Sequence, residues 1–347
     1  MKKLITISLV LLSTTIKINA QEFKTAIDYL SYVNNIEEPI SKETWKYTKT
    51  IAHSKSAKRI ENVRKSLIKT IQNAKSTLEK NKKGFNGDLE FHQKVISYLE
   101  FSELMISEEY AKIVDMQEIA EQSYDYMEAY ILTREKVNER IKQEHNNLIE
   151  SQKEFAKKYK VNLVESDDSS KFKKNMEISG EVFKYQSNLY LIFFKCNYTD
   201  MLLSQSIKNN DLAAIQQNSN SLQQYAEEGL EKIKLYKPYK GDTVLEIATI
   251  KSLNSYKDQT EKYIPQIIDF LTYSSKFEEI KSSLERKSEK DRTKEDVDLY
   301  NNMVKEINKK INDYNKLNSE NVTSKNKQIG EWNIASEKYI SRHVPND

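Results

Sequence analysis

The hexapeptide pattern Lys-x-aromatic-x-Gly-Asp occurs twice in this chain, at residues 83–88 and 237–242, an offset of 154. Gly87 and Gly241 can take the positive φ that reverses a chain. Asp88 and Asp242 can then accept from the first free amides of a following helix. Phe85 or Tyr239 would pin the loop to the helices beneath it. This is the chemistry of a structural turn and N-cap. The functional alternative is a pair of quasi-equivalent ligand sites with both carboxylates facing outward.

The other reactive side chains form no recognisable constellation. His53, His92, His145 and His343 are scattered, and none has the helical spacing of a metal pair. Asp88 and His92 are four residues apart and could form one edge of a metal site, but a cap and its neighbour explain them as well. Glu165, Asp167 and Asp168 lack the glycine and terminal glutamate of a calcium loop. Cys196 follows the most apolar run after the N-terminus, residues 189–194, and reads as a buried inert thiol. Six glycines supply no phosphate-binding or nucleophile-elbow motif. Catalytic, metal-binding and cofactor-binding residues are therefore all assigned as none, and no cofactor is implied.

Tyrosine is unusually frequent, with 21 in the chain and a cluster at Tyr124, Tyr126 and Tyr130. Tyr126 and Tyr130 share a helical face. Exposed, the three would form an interaction surface; buried, they would line a helical seam.

Long helices must carry these residues. Val297, Tyr300, Val304, Ile307, Ile311 and Tyr314 alternate steps of three and four, which predicts a core-facing helical stripe. It fades through Asn318, Asn321 and Lys325 before Trp332 and Tyr339 restore the phase, so a packed bundle is expected in preference to a long coiled coil. Leu99, Ile106, Ile113, Ala120 and Met127 recur every seven residues. Glu37, Glu38 and Pro39 are expected to separate a short first helix from one over residues 41–80, bent near 53–56. In the second unit a further break is expected near residues 289–293, while the first unit runs on from Asp88 through about residue 160 with no boundary legible.

The offset of 154 also pairs Ile96 with Ile250, Leu99 with Leu253, Ile113 with Ile267 and Asp115 with Asp269. An internal duplication is the expectation. The fold class is therefore all-α, an elongated bundle of long amphipathic helices in two related units. Residues 21–163 would form the first unit, the polar stretch 164–171 a linker, and residues 172–347 the second.

Residues 1–20 read as a signal peptide. Lys2 and Lys3 precede the apolar run 4–12, which is too short to span a bilayer, and Ala20 suits cleavage before Gln21. The precursor has 55 basic and 52 acidic residues, and three of the lysines lie in this segment. The mature chain is thus charge-balanced, which removes the electrostatic footprint of a nucleic-acid binder. No later segment is apolar enough for a membrane span. A lone cysteine forms no internal disulfide, so packing must hold the exported chain together.

The export signal, the nearly glycine-free helical body and the Gly-Asp turn between long amphipathic helices resemble a family of exported, all-helical bacterial surface proteins of unknown function. The Asn/Lys/Ile-rich composition and the Gln-Glu start after the cleavage site are similar to those of exported proteins of low-GC Gram-negative bacteria. The resemblance implies a periplasmic, surface or secreted location and no catalytic residues. The functional expectation is a non-catalytic protein that binds another macromolecule, an unknown protein or envelope component. A self-associating helical spacer is one alternative; a small-ligand binder or enzyme with a site assembled across helices is the other.

Overall fold

A computed structural model describes residues 23–109, 116, 119–164 and 167–346. The expected signal peptide, Ile113, Asp115 and Glu165 lie outside the described residues. Those described form an all-α protein, and the one β-type contact among them is an isolated bridge between Phe85 and Asp88.

Helix α1, Ala26–His53, starts with a reciprocal capping box between Thr25 and Asp28. It does not break at Glu37–Pro39, as the sequence suggested, but carries Pro39 within one continuous helix. Proline there removes a backbone donor and crowds the preceding turn, at a cost of about 3 kcal/mol. Val33, Ile40 and Tyr47, all buried on either side of it, hold the helix in phase across the defect. The chain breaks later, at residues 54–56, where Ser56 caps α2, Ala57–Glu79.

Past the first turn, α3, Glu90–Leu104, runs into a π-helical turn, Met105–Glu109. The stretch up to residue 160, in which the sequence shows no boundary, has one at Ser123, which caps a new helix, α4, Tyr124–Lys158. The polar stretch 164–171 is only partly a connection: α5, Asp167–Lys208, begins inside it. Asp211 caps α6, Leu212–Ile233. After the second turn come α7, Val244–Asp258, a second π-helical turn, Gln259–Tyr263, and α8, Ile264–Arg286. A 3-10 turn, Glu289–Asp291, leads to α9, Lys294–His343, whose capping box joins Thr293 and Asp296.

One core is drawn from α1 to α4, including Tyr29, Leu67, Leu78, Leu99 and Phe155. A second gathers Leu189, Cys196, Leu222, Leu253, Ile267 and Trp332 from α5 to α9, with Trp45 and Ala52 of α1 packed against it. Helix α5 lies at the centre and touches α1, α4, α6, α7 and α9. Its apolar run follows from that position, since residues 185–200, none of them exposed, have no solvent side on which to keep a polar face. Close approach is built in at Gly229, where a Cβ would meet Ile192 Cγ2 at 2.8 Å and Leu253 Cδ1 at 2.9 Å. Cys196 is fully buried, and burial pushes its thiol up to about 12.

Glu37 on α1 is an uncompensated polar group in this interior. Its Oε1 is shut from solvent with no hydrogen-bond partner, and burial pushes the carboxyl from an ordinary 4.5 up to about 7. A raised carboxyl pKa leaves stability intact below the unfolded value and removes it as pH rises toward the folded one. Wild-type protein should therefore lose about 3 kcal/mol relative to Glu37→Gln between pH 4.5 and 7. Urea midpoints of both proteins across that range check this, and parallel curves would contradict it.

Candidate functional site

The two Gly-Asp turns have the same construction. In the first, Asn86 and Gly87 take φ of 51° and 85°; in the second, Lys240 and Gly241 take 51° and 70°. The first is tighter, because a Cβ on Gly84 would lie 2.1 Å from the Asp88 carbonyl oxygen. Asp88 Oδ1 accepts from the Glu90 amide at 3.1 Å, and Asp242 Oδ1 accepts from the Val244 amide at 3.0 Å. Both carboxylates thus serve the first free donors of a helix, each from one residue before the N-cap position held by Leu89 and Thr243.

The second carboxylate oxygen reaches a different element. Asp88 Oδ2 accepts from Tyr159 Oη at 2.7 Å and pairs with Lys158 Nζ at 2.8 Å, at the end of α4. Asp242 Oδ2 pairs with Arg342 at 2.6 Å and His343 Nε2 at 2.8 Å, at the end of α9. The rings repeat too: Phe85 meets Tyr159 edge-on with centroids 4.9 Å apart, and Tyr239 meets His343 edge-on at 5.4 Å. Each aspartate is a latch between a turn and the far end of a long helix. The side chains are 12% and 13% exposed, so neither carboxylate points outward as a free ligand site would require.

Burial raises the Asp88 pKa, but hydrogen bonds from Lys158, Tyr159 and the Glu90 amide outweigh it and hold the carboxyl below its ordinary value. At Asp242 burial is likewise outweighed, by the Val244 amide, His343 and Arg342.

His92 does not join Asp88 in a metal edge. Its Nδ1 is bonded to the buried Tyr29 hydroxyl at 3.0 Å, and burial lowers its pKa. At the equivalent position after the second turn, Glu246 stands near the buried hydroxyl of Tyr185. Among the described residues no three His, Cys, Asp or Glu side chains gather as a metal site.

The tyrosine cluster divides. Tyr124 and Tyr130 are half-buried in a seam between α4 and α5, packed with Met127, Ile131 and Phe194. Tyr124 donates to Glu128 at 3.0 Å, and Lys195 lies 5.3 Å from its ring and 3.8 Å from that of Tyr225. Arg134 stacks over Tyr130 and donates to Ser187 of α5 at 2.6 Å. Only Tyr126, 50% exposed, remains available as surface. The three tyrosines therefore do not form one interaction face.

Two features were not legible in the sequence. The first is a polar network at the π-helical turn: Asp200, 7% exposed, accepts from Gln259 at 2.5 Å and pairs with Lys325 at 2.7 Å, and Lys325 donates to Ser204 at 3.0 Å. Asn318 accepts from Tyr263 at 3.2 Å. The stripe on α9 fades at these positions because they face hydrogen-bonding partners.

The second feature is an arm. Tyr339, Trp332 and Lys325 of α9 meet Tyr185, Phe193 and Asp200 of α5 in turn, so the two helices run antiparallel. Helix α5 ends at Lys208, while α9 continues outward with α8. Phe270 stacks on Tyr314 at 4.4 Å and Phe277 on Tyr300 at 5.8 Å, with ion pairs Asp269–Lys310 and Lys287–Asp296, both 2.6 Å, near its two ends. Among the described residues, α8 is the helix that covers the outer part of the predicted stripe. Ile307 of the stripe and the neighbouring Met303 are buried, but Val297 and Ile311 are each 39% exposed. An open hollow of about 350 Å³ at the arm's base includes Asp269 and Lys310, which are already paired with each other.

Loss of either latch should weaken folding without changing helix content. We expect Asp88→Asn and Asp242→Asn each to cost about 1–2 kcal/mol near neutral pH. Both carboxyls are held below their ordinary values, so the deficit should shrink as pH falls through the folded-state pKa and each wild-type carboxylate protonates. Urea unfolding at neutral and acid pH measures this, and a deficit that grows in acid would contradict it.

Comparison of the chain with protein-family models, with curated proteins and with solved structures finds no match, so the geometry alone carries the functional reading.

Proposed function

We propose that this chain is an exported, non-catalytic helical protein that binds another macromolecule through the α8–α9 arm. The observation that carries this reading is the arm's stripe, which among the described residues is covered by α8 along its outer part and leaves Val297 and Ile311 partly open. Elsewhere the groups that might do chemistry are committed: Asp88 and Asp242 to latches, His92 to Tyr29, and Cys196 to a setting that disfavours its thiolate.

Internal duplication belongs to the same proposal, and the repeated geometry supports it. Helices α3 and α7 are each 15 residues long, start at the same step after their turn aspartates, and run into π-helical turns of equal length. Leu67, Ile71, Ala74 and Leu78 of α2 have buried counterparts in Leu222, Ala226, Gly229 and Ile233 of α6, with the same spacing between successive members. The latches then differ in span. Asp88 and Tyr159 are 71 residues apart, whereas Asp242 and His343 are 101 apart. The longer span contains the arm, which is therefore the extension that the second unit has over the first.

Two measurements test the reading. Sequencing the N-terminus of the protein recovered from the envelope or medium should begin at Gln21; a chain retained in the cytoplasm with residues 1–20 attached would end the export proposal. Affinity capture from envelope extracts should lose its specific partners, by at least ~tenfold, when the bait carries Val297→Lys and Ile311→Lys with its circular dichroism unchanged. Equal capture by both baits would remove the arm as the contact.

A further inference from the structure

Glu37 stands where the other core of this protein has a ring. Buried Tyr29, Val33, Ile40 and Tyr47 of α1 have buried counterparts in Tyr185, Leu189, Cys196 and Leu203 of α5, with the same spacing between successive members. Glu37, four residues after Val33 and three before Ile40, corresponds to Phe193. Phe193 stacks on Trp332 of α9 with centroids 4.6 Å apart, and Trp332 Nε1 donates to Thr249 of α7 at 3.0 Å. Trp332 precedes Tyr339 and the latch residue His343 by the same steps that separate Leu148 from Phe155 and Tyr159 on α4. The α5–α9 core is therefore closed at this level by two stacked rings, the α1–α4 core by a carboxyl and an aliphatic side chain.

The surrounding charges are committed elsewhere. On α1 itself Glu38 and Glu43 pair with Lys42 and Lys46, and on α2 Arg64 and Lys75 pair with Glu61 and Glu103. The group that feels Glu37 is Tyr98 of α3: burial, aided by the Glu37 charge, pushes its phenol up to about 12. Beyond it lies His145 of α4, with ring centroids 5.8 Å apart and a pKa lowered by burial and by Lys173 of α5. An ionised Glu37 thus finds no ion-pair partner among the described residues, and Oε1 has no donor.

We infer that Glu37 makes the middle of α4 a proton-operated seam, closed on α1 and α3 while the carboxyl is protonated and opened to water when it ionises. Helix α4 is fixed on both sides of this stretch, by Arg134 on Ser187 at 2.6 Å and by Lys158 and Tyr159 on Asp88. Between them Gln152 donates to Asn34 at 3.2 Å, an exposed neutral bond that adds little against a buried unpaired charge. In the α5–α9 core the buried Asp200 is compensated by Lys325 at 2.7 Å, so that core stays closed. Opening bares Ile141 and Leu148, so a proton controls an apolar surface, and it does so independently of the arm.

The raised carboxyl pKa places the response between 4.5 and about 7, with the seam tightest at the acid end. His145 titrates with the opposite sign and so works against this response. Hydrogen–deuterium exchange on the intact chain, corrected for the intrinsic pH dependence of amide exchange, tests the inference. Amides of residues 137–152 should exchange at least ~tenfold faster at pH 7 than at pH 5, while those around Phe193 and Trp332 keep constant protection. Glu37→Gln, which keeps the shape and cannot ionise, should stay slow at both pH values. Equal protection of residues 137–152 at both pH values, or a pH response that survives Glu37→Gln, would overturn the inference. Protection lost from both cores together would also end it, because the proton would then act on global unfolding and not on a seam.

Discussion

The fold depends on one constraint: along residues 185–200 helix α5 has no exposed residue, so the other helices must be arranged around it. Val182, Leu189, Cys196 and Leu203 are fully buried along its length, and five other helices touch it. It also has an end. Beyond Lys208 there is no α5 to pack against, and α8 and α9 continue with only each other. The arm is a consequence of helices of unequal length sharing one axis.

The two aspartate latches solve a related problem. A long helix packed on a core by its apolar stripe can slide by one turn at modest cost, because the stripe repeats. A carboxylate that caps one helix and pairs with the last turn of another fixes that register, since its two oxygens have different partners at defined distances. The latches also bring together unlike charges that the helix termini favour, an acid at the start of α3 and α7 and cations at the ends of α4 and α9. Their role as turn and cap residues was readable from the glycine and aspartate of the motif. Their second partners were not, because Lys158 and Arg342 lie on helices whose return path depends on how the bundle packs.

The misreadings are equally physical. Pro39 signals a helix end from local sterics, and local sterics lost to a continuous buried face on either side of it. Asn318 and Lys325 interrupt an apolar stripe in a one-dimensional reading; opposite Tyr263 and Asp200 they are hydrogen-bonded or paired across the contact between helices. The stripe from Val297 to Tyr314 has the period of a core-facing helix, but period reports only that one face prefers to leave water. How many neighbours cover that face is a tertiary property.

The sequence by itself determined the helical class, the positions of the two turns, the buried state of Cys196 and the charge balance of the chain without its first twenty residues, because each follows from residue type and short-range spacing. Tertiary structure alone decided that Asp88 and Asp242 are latches, that Tyr124 and Tyr130 seal a seam while Tyr126 does not, and that the last heptad stripe stands half open on an arm. Those outcomes depend on which side chains meet between helices far apart along the chain, and helical periodicity carries no information about which helices end where.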